Sequence, residues 1–325
     1  MTNGQIYRKT LGFSLRRVFW DIVALVILAA LTVGGFMLAN NFSEGGAIGL
    51  LIGFVVGLIV IGIVLRFVSY RLKAGQIAMM TKGVTEGELP DNVIKAGKQV
   101  VKERFATVAA YFAITGAIKG IFNQVGRGIT KLGEKIGGNT GSTVGSAISS
   151  AIQTLVSYLC DCCLGWVFYR KDQSAVKATC DGAVLFFKHG KTLAKNMGRV
   201  AGIGILSLLL IGGVFAGILY VVLSNFPQLF VRLSQVLAES AASGEGELPA
   251  FLLEPQNLMI ACCVLGGLIL WSMVHSVFVK PYILVGVLRN YVQSGIEDMP
   301  NETEAVYSKL DQISPKFRKL HNQLA

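Results

Sequence analysis

One carboxylate stands inside an otherwise apolar stretch of this chain: Asp161, in the run Tyr158-Leu159-Cys160-Asp161-Cys162-Cys163-Leu164-Gly165-Trp166. A carboxylate at bilayer depth costs about 2.5–3.5 kcal/mol to insert, so such a group usually faces a polar interior and has a function. The residue types around it suit a cation site. Asp161 would supply the counter-charge, Tyr158, Trp166 or Tyr169 the aromatic walls, and Ser157 a polar contact. A plainer alternative stays open: Asp161 lies nine residues before Arg170 and is simply solvated at the membrane edge. His275, followed by Lys280-Pro281, is expected either to couple protons or to cap its helix at the interface. Lys280 is then expected to snorkel to the headgroups.

The cysteines are Cys160, Cys162, Cys163, Cys180, Cys262 and Cys263. Cys160 and Cys163 share a helical face, but no second CxxC and no histidine at ligand spacing accompany them, so no metal is expected. Small apolar packing residues, reduced on a cytoplasmic side, are the expected role. Acylation at the membrane edge is a further option. No GxGxxG follows a strand, and neither a Walker A sequence nor GxSxG nor HExxH occurs. Neither enzymatic activity nor a cofactor is expected.

The elements that must hold these residues follow from composition. Apolar residues form 53% of the 325 and charged residues 15%, against roughly 25% charged in a soluble domain. That excess of apolar surface excludes disorder and points to an all-α, polytopic integral membrane protein. Uncharged apolar runs at 22–39, 45–65, 200–223 and 257–279 are long enough to cross a bilayer. The first is expected to be a retained helix rather than a cleaved leader. The run 105–118 is shorter. After it Ile118, Phe122, Val125, Ile129, Leu132 and Ile136 recur at helical steps, as in an interfacial helix or a hairpin arm. Residues 147–169 make a further candidate, carrying Ser149, Ser150, Gln153, Thr154 and Ser157. Six spans are the expectation.

Charge gives the orientation. Of the 30 Lys and Arg residues, 25 fall in segments 1–20, 66–104, 170–199 and 280–325, whereas 225–256 holds only Arg232 against Glu239, Glu245, Glu247 and Glu254. Both termini are therefore expected in the cytoplasm, with the protein in the plasma (inner) membrane. Lys119, Arg127, Lys131 and Lys135 fit that scheme poorly if both middle segments cross. The net charge of +11 is spread over short segments with few aromatics between them, which argues against nucleic acid and for anionic lipid at the cytoplasmic face. Stretches 71–104 and 280–313 are expected to lie against that face. A homo-oligomer or a protein partner stays open.

Lys9-Thr10-Leu11 with Arg17 recurs as Lys191-Thr192-Leu193 with Arg199, each ahead of a glycine pair, Gly34-Gly35 and Gly212-Gly213. Glu88-Leu89-Pro90-Asp91 and Asp298-Met299-Pro300-Asn301 follow the two hairpins. This suggests a parallel two-hairpin repeat. The expected organisation is 1–104 as the first hairpin, 105–170 as a middle pair, and 171–325 as the second hairpin with its outer loop and tail. Gly49, Gly53 and Gly57 form GxxxG steps in the second run, and Gly213 and Gly217 another, all expected at helix contacts.

From about residue 100 to 200 the order of features resembles the choline transporter-like family. Its carriers are Lys102-Glu103-Arg104-Phe105, the Cys160, Cys162 and Cys163 helix, Cys180-Asp181-Gly182-Ala183, Phe186-Phe187 and Lys195-Asn196, with a weaker echo in Val274-His275-Ser276-Val277-Phe278. The resemblance covers about a third of the chain. The chain is about half the usual family length and lacks the family's large outer loop, and Asp161 departs from its pattern. It implies a transporter-like fold more than choline as substrate. The expected function is movement of a small organic cation through the polar middle pair. The alternative is a non-transporting membrane scaffold or assembly protein binding lipid or a partner at its basic face. A third option is an ion channel lined by the Ser/Thr face of 149–157.

Overall fold

A computed structural model of the chain describes residues 1–42, 46–106, 108–137, 142–242, 249–299 and 304–324. Every regular element among the described residues is helical. The helices are α1 (Asn3–Phe42), α2 (Gly46–Thr85), α3 (Val93–Arg104), α4 (Val108–Gly137), α5 (Ser142–Tyr169), α6 (Ala175–Ser207), α7 (Gly213–Leu223), α8 (Pro227–Ala242), α9 (Pro255–Val274), α10 (Lys280–Asp298), α11 (Glu304–Ile313) and α12 (Pro315–His321). Two π turns, Leu208–Gly212 and His275–Val279, join α6 to α7 and α9 to α10, and a 3₁₀ turn, Ala250–Leu253, precedes α9.

Three described helical stretches are long and apolar enough to cross a membrane: Asn3–Ala39, Gly202–Leu223 and Pro255–Asp298. A fourth is reached if Val93–Arg104 and Ala109–Gln124, bent by 84° at their junction, count as one. Leu51–Ile63 and Val156–Tyr169 are shorter apolar helices. The chain divides into two compact units, Met1–Lys195 with Pro281–Ala325, and Asn196–Lys280. This partition differs from the three expected segments, because the C-terminal helices pack with residues 1–195.

In the first unit α1 and α2 form one hairpin of two unbroken helices of 40 residues each. The hairpin has two kinds of surface. Leu25, Val26, Val33, Met37 and Leu38 on α1, and Leu51, Ile52, Phe54 and Ile59 on α2, are bare apolar side chains. Toward the other end Ile6, Thr10, Phe13 and Ser14 on α1 face Leu72, Gln76, Ile77 and Met80 on α2, all buried. Gln76 donates to Ser14 Oγ (2.9 Å) and to the Thr10 carbonyl (3.4 Å), so the buried amide is satisfied. At the apolar end the backbones nearly touch. A methyl on Gly35 would run into the Gly49 carbonyl, and one on Gly53 into the Leu31 carbonyl. Gly57 faces Leu28 in the same seam, where a Cβ would come within 2.7 Å of it.

Helix α3 starts at Asn92, whose side chain accepts from the Lys95 N–H, and buries Val93, Gly97 and Val101. Gly97 lets α3 approach Gly75 and the Phe13 ring, where a Cβ would come within 2.7 Å of the ring. Its apolar face is thus seated on protein. Lys95, Lys98 and Lys102 point outward instead. Ile118 and Phe122 of α4 are buried together with Ile121, and the Phe122 ring meets Phe186 edge-on at 5.0 Å. That part of the amphipathic stretch packs on protein rather than on an interface; the side chains of 125–155, with all of the Ser/Thr face invoked for a pore except Ser157, lie outside the described residues.

In the second unit α7 packs against α9, where Gly267 faces the Gly212 carbonyl and Ala216: a Cβ there would sit 2.8 and 2.9 Å from them. Gly213 and Gly217 are not in this contact. Added Cβ atoms at either meet nothing within 4 Å among the described residues. The π turn just before them changes the phase of the helix, which a 3.6-residue count does not anticipate. The glycine pairs of the suggested repeat also differ: Gly35 makes the contact in one and Gly212 in the other. The Lys191–Arg199 side chains lie outside the described residues.

These contacts separate two kinds of glycine. Gly53→Val is expected to destabilise the protein by about 1–3 kcal/mol through overpacking, whereas Gly217→Ala should be neutral or gain about 0.5 kcal/mol from backbone entropy. Melting temperatures in detergent check this; equal losses for both variants would show that the seam is misplaced.

Candidate functional site

The second half of α5 lies at the centre of the first unit. Tyr158, Leu159, Cys162, Cys163, Trp166 and Val167 are all buried, and Asp161 is 3% exposed. The solvated alternative for Asp161 therefore fails. Its Oδ1 meets Lys73 Nζ of α2 at 2.6 Å. Arg17 of α1 lies within electrostatic reach of both Asp161 and Asp21. Three helices thus bring Lys73 and Arg17 toward the buried Asp161, with Asp21 near Arg17, so the chain itself supplies the counter-charge. A carboxylate taken from water requires such a partner. Lys73 had no signal in the sequence, where it is one of eight basic residues in segment 66–104.

The proposed aromatic walls separate. Tyr158 and Tyr111 lie within electrostatic reach of Asp161. Trp166 occupies a different side of α5, packed on Gly295 and Gly182, with Leu185 beside Gly295. The Arg170 guanidinium sits 5.7 Å from the Trp166 ring centre, and Tyr169 lies 5.3 Å from it. Ser157 is half-buried. Cys163 Sγ contacts the Thr179 carbonyl at 3.8 Å, and Gly182 leaves room for that sulfur. All six thiols are unbridged, and among the described residues no cluster of three metal-ligating side chains forms. Burial and then the Asp181 carboxylate push the Cys180 thiol up to about 12, which makes it a poor nucleophile at neutral pH.

A second buried carboxylate, Asp181 on α6, was not singled out in the sequence. Lys177 one turn earlier reaches its Oδ1 at 2.8 Å, and Tyr307 of α11 donates to the same oxygen at 2.6 Å. Lys177 also donates to the Tyr307 hydroxyl at 3.1 Å, and Gln173 can donate to Asp181 Oδ2 at 3.0 Å. The i,i+4 spacing of Lys177 and Asp181 was a readable signal; Tyr307, far along the chain, was not. Arg104 at the end of α3 donates to the Arg170 and Gln173 carbonyls at 3.0 and 2.8 Å, closing the open end of α5. Arg170 in turn holds Asp172 below the usual carboxylate range through a bidentate contact. Beyond Tyr307, the His321 ring lies 5.3 Å away and its Nδ1 is 2.9 Å from Asp311. These contacts tie α11 and α12 to the core.

In the second unit His275 opens the second π turn and lies 3.1 Å from Ser207 Oγ, which ends α6 just before the first π turn. Trp271 Nε1 donates to the same oxygen at 3.1 Å, and its ring lies 5.2 Å from the imidazole. Ser207, Trp271 and His275 thus form a polar cluster inside an apolar hairpin, at two facing departures from α-helical pitch. The sequence singled out His275 but neither partner.

Removing one partner of a fully buried pair typically costs 3–5 kcal/mol; because Lys73 is 36% exposed, about 2 kcal/mol is expected for Asp161→Ala. The double variant Lys73→Met, Asp161→Leu should regain much of that stability, since neither charge is left unpaired. Thermal unfolding of the wild type, Lys73→Met, Asp161→Leu and the double variant measures the coupling. Additive losses would mean that the two groups do not interact.

No family model, curated protein or solved structure matches this chain.

Proposed function

We propose that the chain is a membrane scaffold: two apolar hairpins anchor a packed helical body that acts at the cytoplasmic face through its basic surface. The observation that carries this reading is the Lys73–Asp161 ion pair, whose carboxylate is buried. The carboxylate best suited to hold a passing cation is already neutralised by the protein's own lysine. The hairpins are α1–α2 and the pair comprising Gly202–Leu223 and Pro255–Val274. Residues 105–169 then belong to the body, which removes the misfit of Lys119, Arg127, Lys131 and Lys135. Charge supports the sidedness: the packed ends of α1 and α2 carry Arg8, Lys9, Arg16 and Arg71, all exposed. It also favours both termini in the cytoplasm. The two hairpins are consistent with the parallel repeat, and Lys95, Lys98 and Lys102 of α3, with Lys316 and Lys319 of α12, are exposed and able to meet anionic lipid.

Movement of a small organic cation is the second reading, and the resemblance to the choline transporter-like family belongs to it. One observation favours it. The Ser207–Trp271–His275 cluster puts a titratable ring at a π turn of a membrane hairpin, and π turns recur at functional sites.

Reconstituted in liposomes, the protein is expected to give no uptake of choline or tetramethylammonium above protein-free vesicles. Uptake that Asp161→Asn abolishes in a folded protein would reverse the order of the two readings. The topology has its own check. A cysteine introduced by Thr140→Cys should react with an impermeant maleimide from the cytoplasmic side alone, and labelling from outside would restore six spans.

A further inference from the structure

Helix α8 connects the two arms of the second hairpin and is amphipathic in a specific way. At 100° per residue Phe226, Leu229 and Leu233 fall within an arc of about 60°. Phe230 and Ser234 occupy the adjoining arc, Val231 (37% exposed) lies beyond them, and Gln228, Arg232 and Gln235 lie on the far side. The two apolar arcs have different fates. Phe230 is 4% exposed and Ser234 is buried with it, and the elements against which α8 packs are α9 and the 3₁₀ turn Ala250–Leu253. Leu229 is 56% exposed, and Phe226 and Leu233 are bare as well. Half of the helix's apolar face is therefore seated on protein and half is uncovered.

The position of α8 in the chain says what covers the bare half. The apolar stretch Gly202–Leu223 ends only four residues before Pro227. Tyr220, Val221 and Val222 in its last turn are exposed apolar side chains, and Phe226, Leu229 and Leu233 continue that strip, with Arg232 as the charged residue at its border. At the other end Phe251, also bare, precedes the start of α9. The start of α8 is thus held by a short connection to α7, and the helix packs on α9 and the 3₁₀ turn at the tip of an apolar hairpin. Arg232 and the glutamines border the strip on the side that would meet headgroups and water. A helix with one apolar arc, a polar back and attachment at the membrane boundary lies in the interface plane.

We infer that α8 is an in-plane interfacial helix whose Phe226, Leu229 and Leu233 sink into the acyl boundary of the leaflet on the hairpin's outer side, so that its occupant is lipid rather than protein. This assignment rests on the membrane hairpins proposed above. The 225–256 connection thereby acquires a mechanical role, with α8 bracing the α7–α9 tip against the leaflet.

The test uses the full-length protein in phosphatidylcholine nanodiscs, with benzophenylalanine placed singly at Leu229, Leu233, Gln235 or Val221. Irradiation should give lipid adducts at Leu229 and Leu233 at a yield comparable to Val221, and roughly tenfold fewer at Gln235, as an interfacial helix requires. Adducts at Val221 without adducts at Leu229 and Leu233 would overturn the inference and leave the hairpin intact. Absence of lipid adducts at all positions would remove the hairpin and the inference together. Crosslinks from Leu229 to a second copy or another protein would also overturn it, as would equal lipid yields at Leu233 and Gln235. Should a benzophenone variant misfold, Leu229→Trp read by brominated-lipid quenching gives the same discrimination.

Discussion

Length is the constraint on which the first unit depends. Helices α1 and α2 of 40 residues each run about 60 Å, twice the thickness of a hydrocarbon core of roughly 30 Å. A helix that long meets two environments. On the membrane reading proposed above, one half can leave leucine, valine and phenylalanine bare, because lipid is as apolar as they are. The other half must cover its apolar groups with protein, and it does so with α3, α5 and α10. The seam of the hairpin follows the same division: bare glycine backbones touch at one end, and Gln76 bonds to Ser14 and Thr10 at the other. Close backbone approach replaces the missing hydrophobic drive in lipid.

Burial of charge is the second organising theme. Asp161 and Asp181 lie on consecutive helices, and each is matched by a lysine at ion-pair distance. The two matches differ in reach. Lys177 is one turn from Asp181 and would meet it in an isolated helix, while Lys73 meets Asp161 only when α2 packs on α5. The second kind of pair reports on tertiary structure and is lost when packing is lost. Tyr307 adds a long-range bond to Asp181 and joins α11 to the core, alongside the packing of α11 and α12 on α4 and the Ser314–Gln124 bond.

The second unit solves a similar problem with less polar material. Ser207 is shared by Trp271 and His275 at the point where both arms depart from α-helical pitch. A π turn alters the phase of everything after it. That alteration puts Gly212 rather than Gly213 against Gly267.

Much of this molecule was legible in composition and periodicity. An all-helical chain with long apolar helices, the glycine seam of the first hairpin and the oddity of Asp161 all follow from residue type and spacing, because each is a property of one helix. The family resemblance rests on the residues that suggested it. What spacing could not supply was partnership. Lys73 reads as one basic residue among eight, Trp166 appears beside Asp161 in the chain yet packs on Gly295, and the apolar residues Val93, Ala96, Val100 and Val101 look equally fit for lipid or protein. The sequence by itself determined which surfaces had to leave water, since that depends on side-chain chemistry. Only the tertiary structure decided what covers each of them, because burial against protein and burial against lipid demand the same residues.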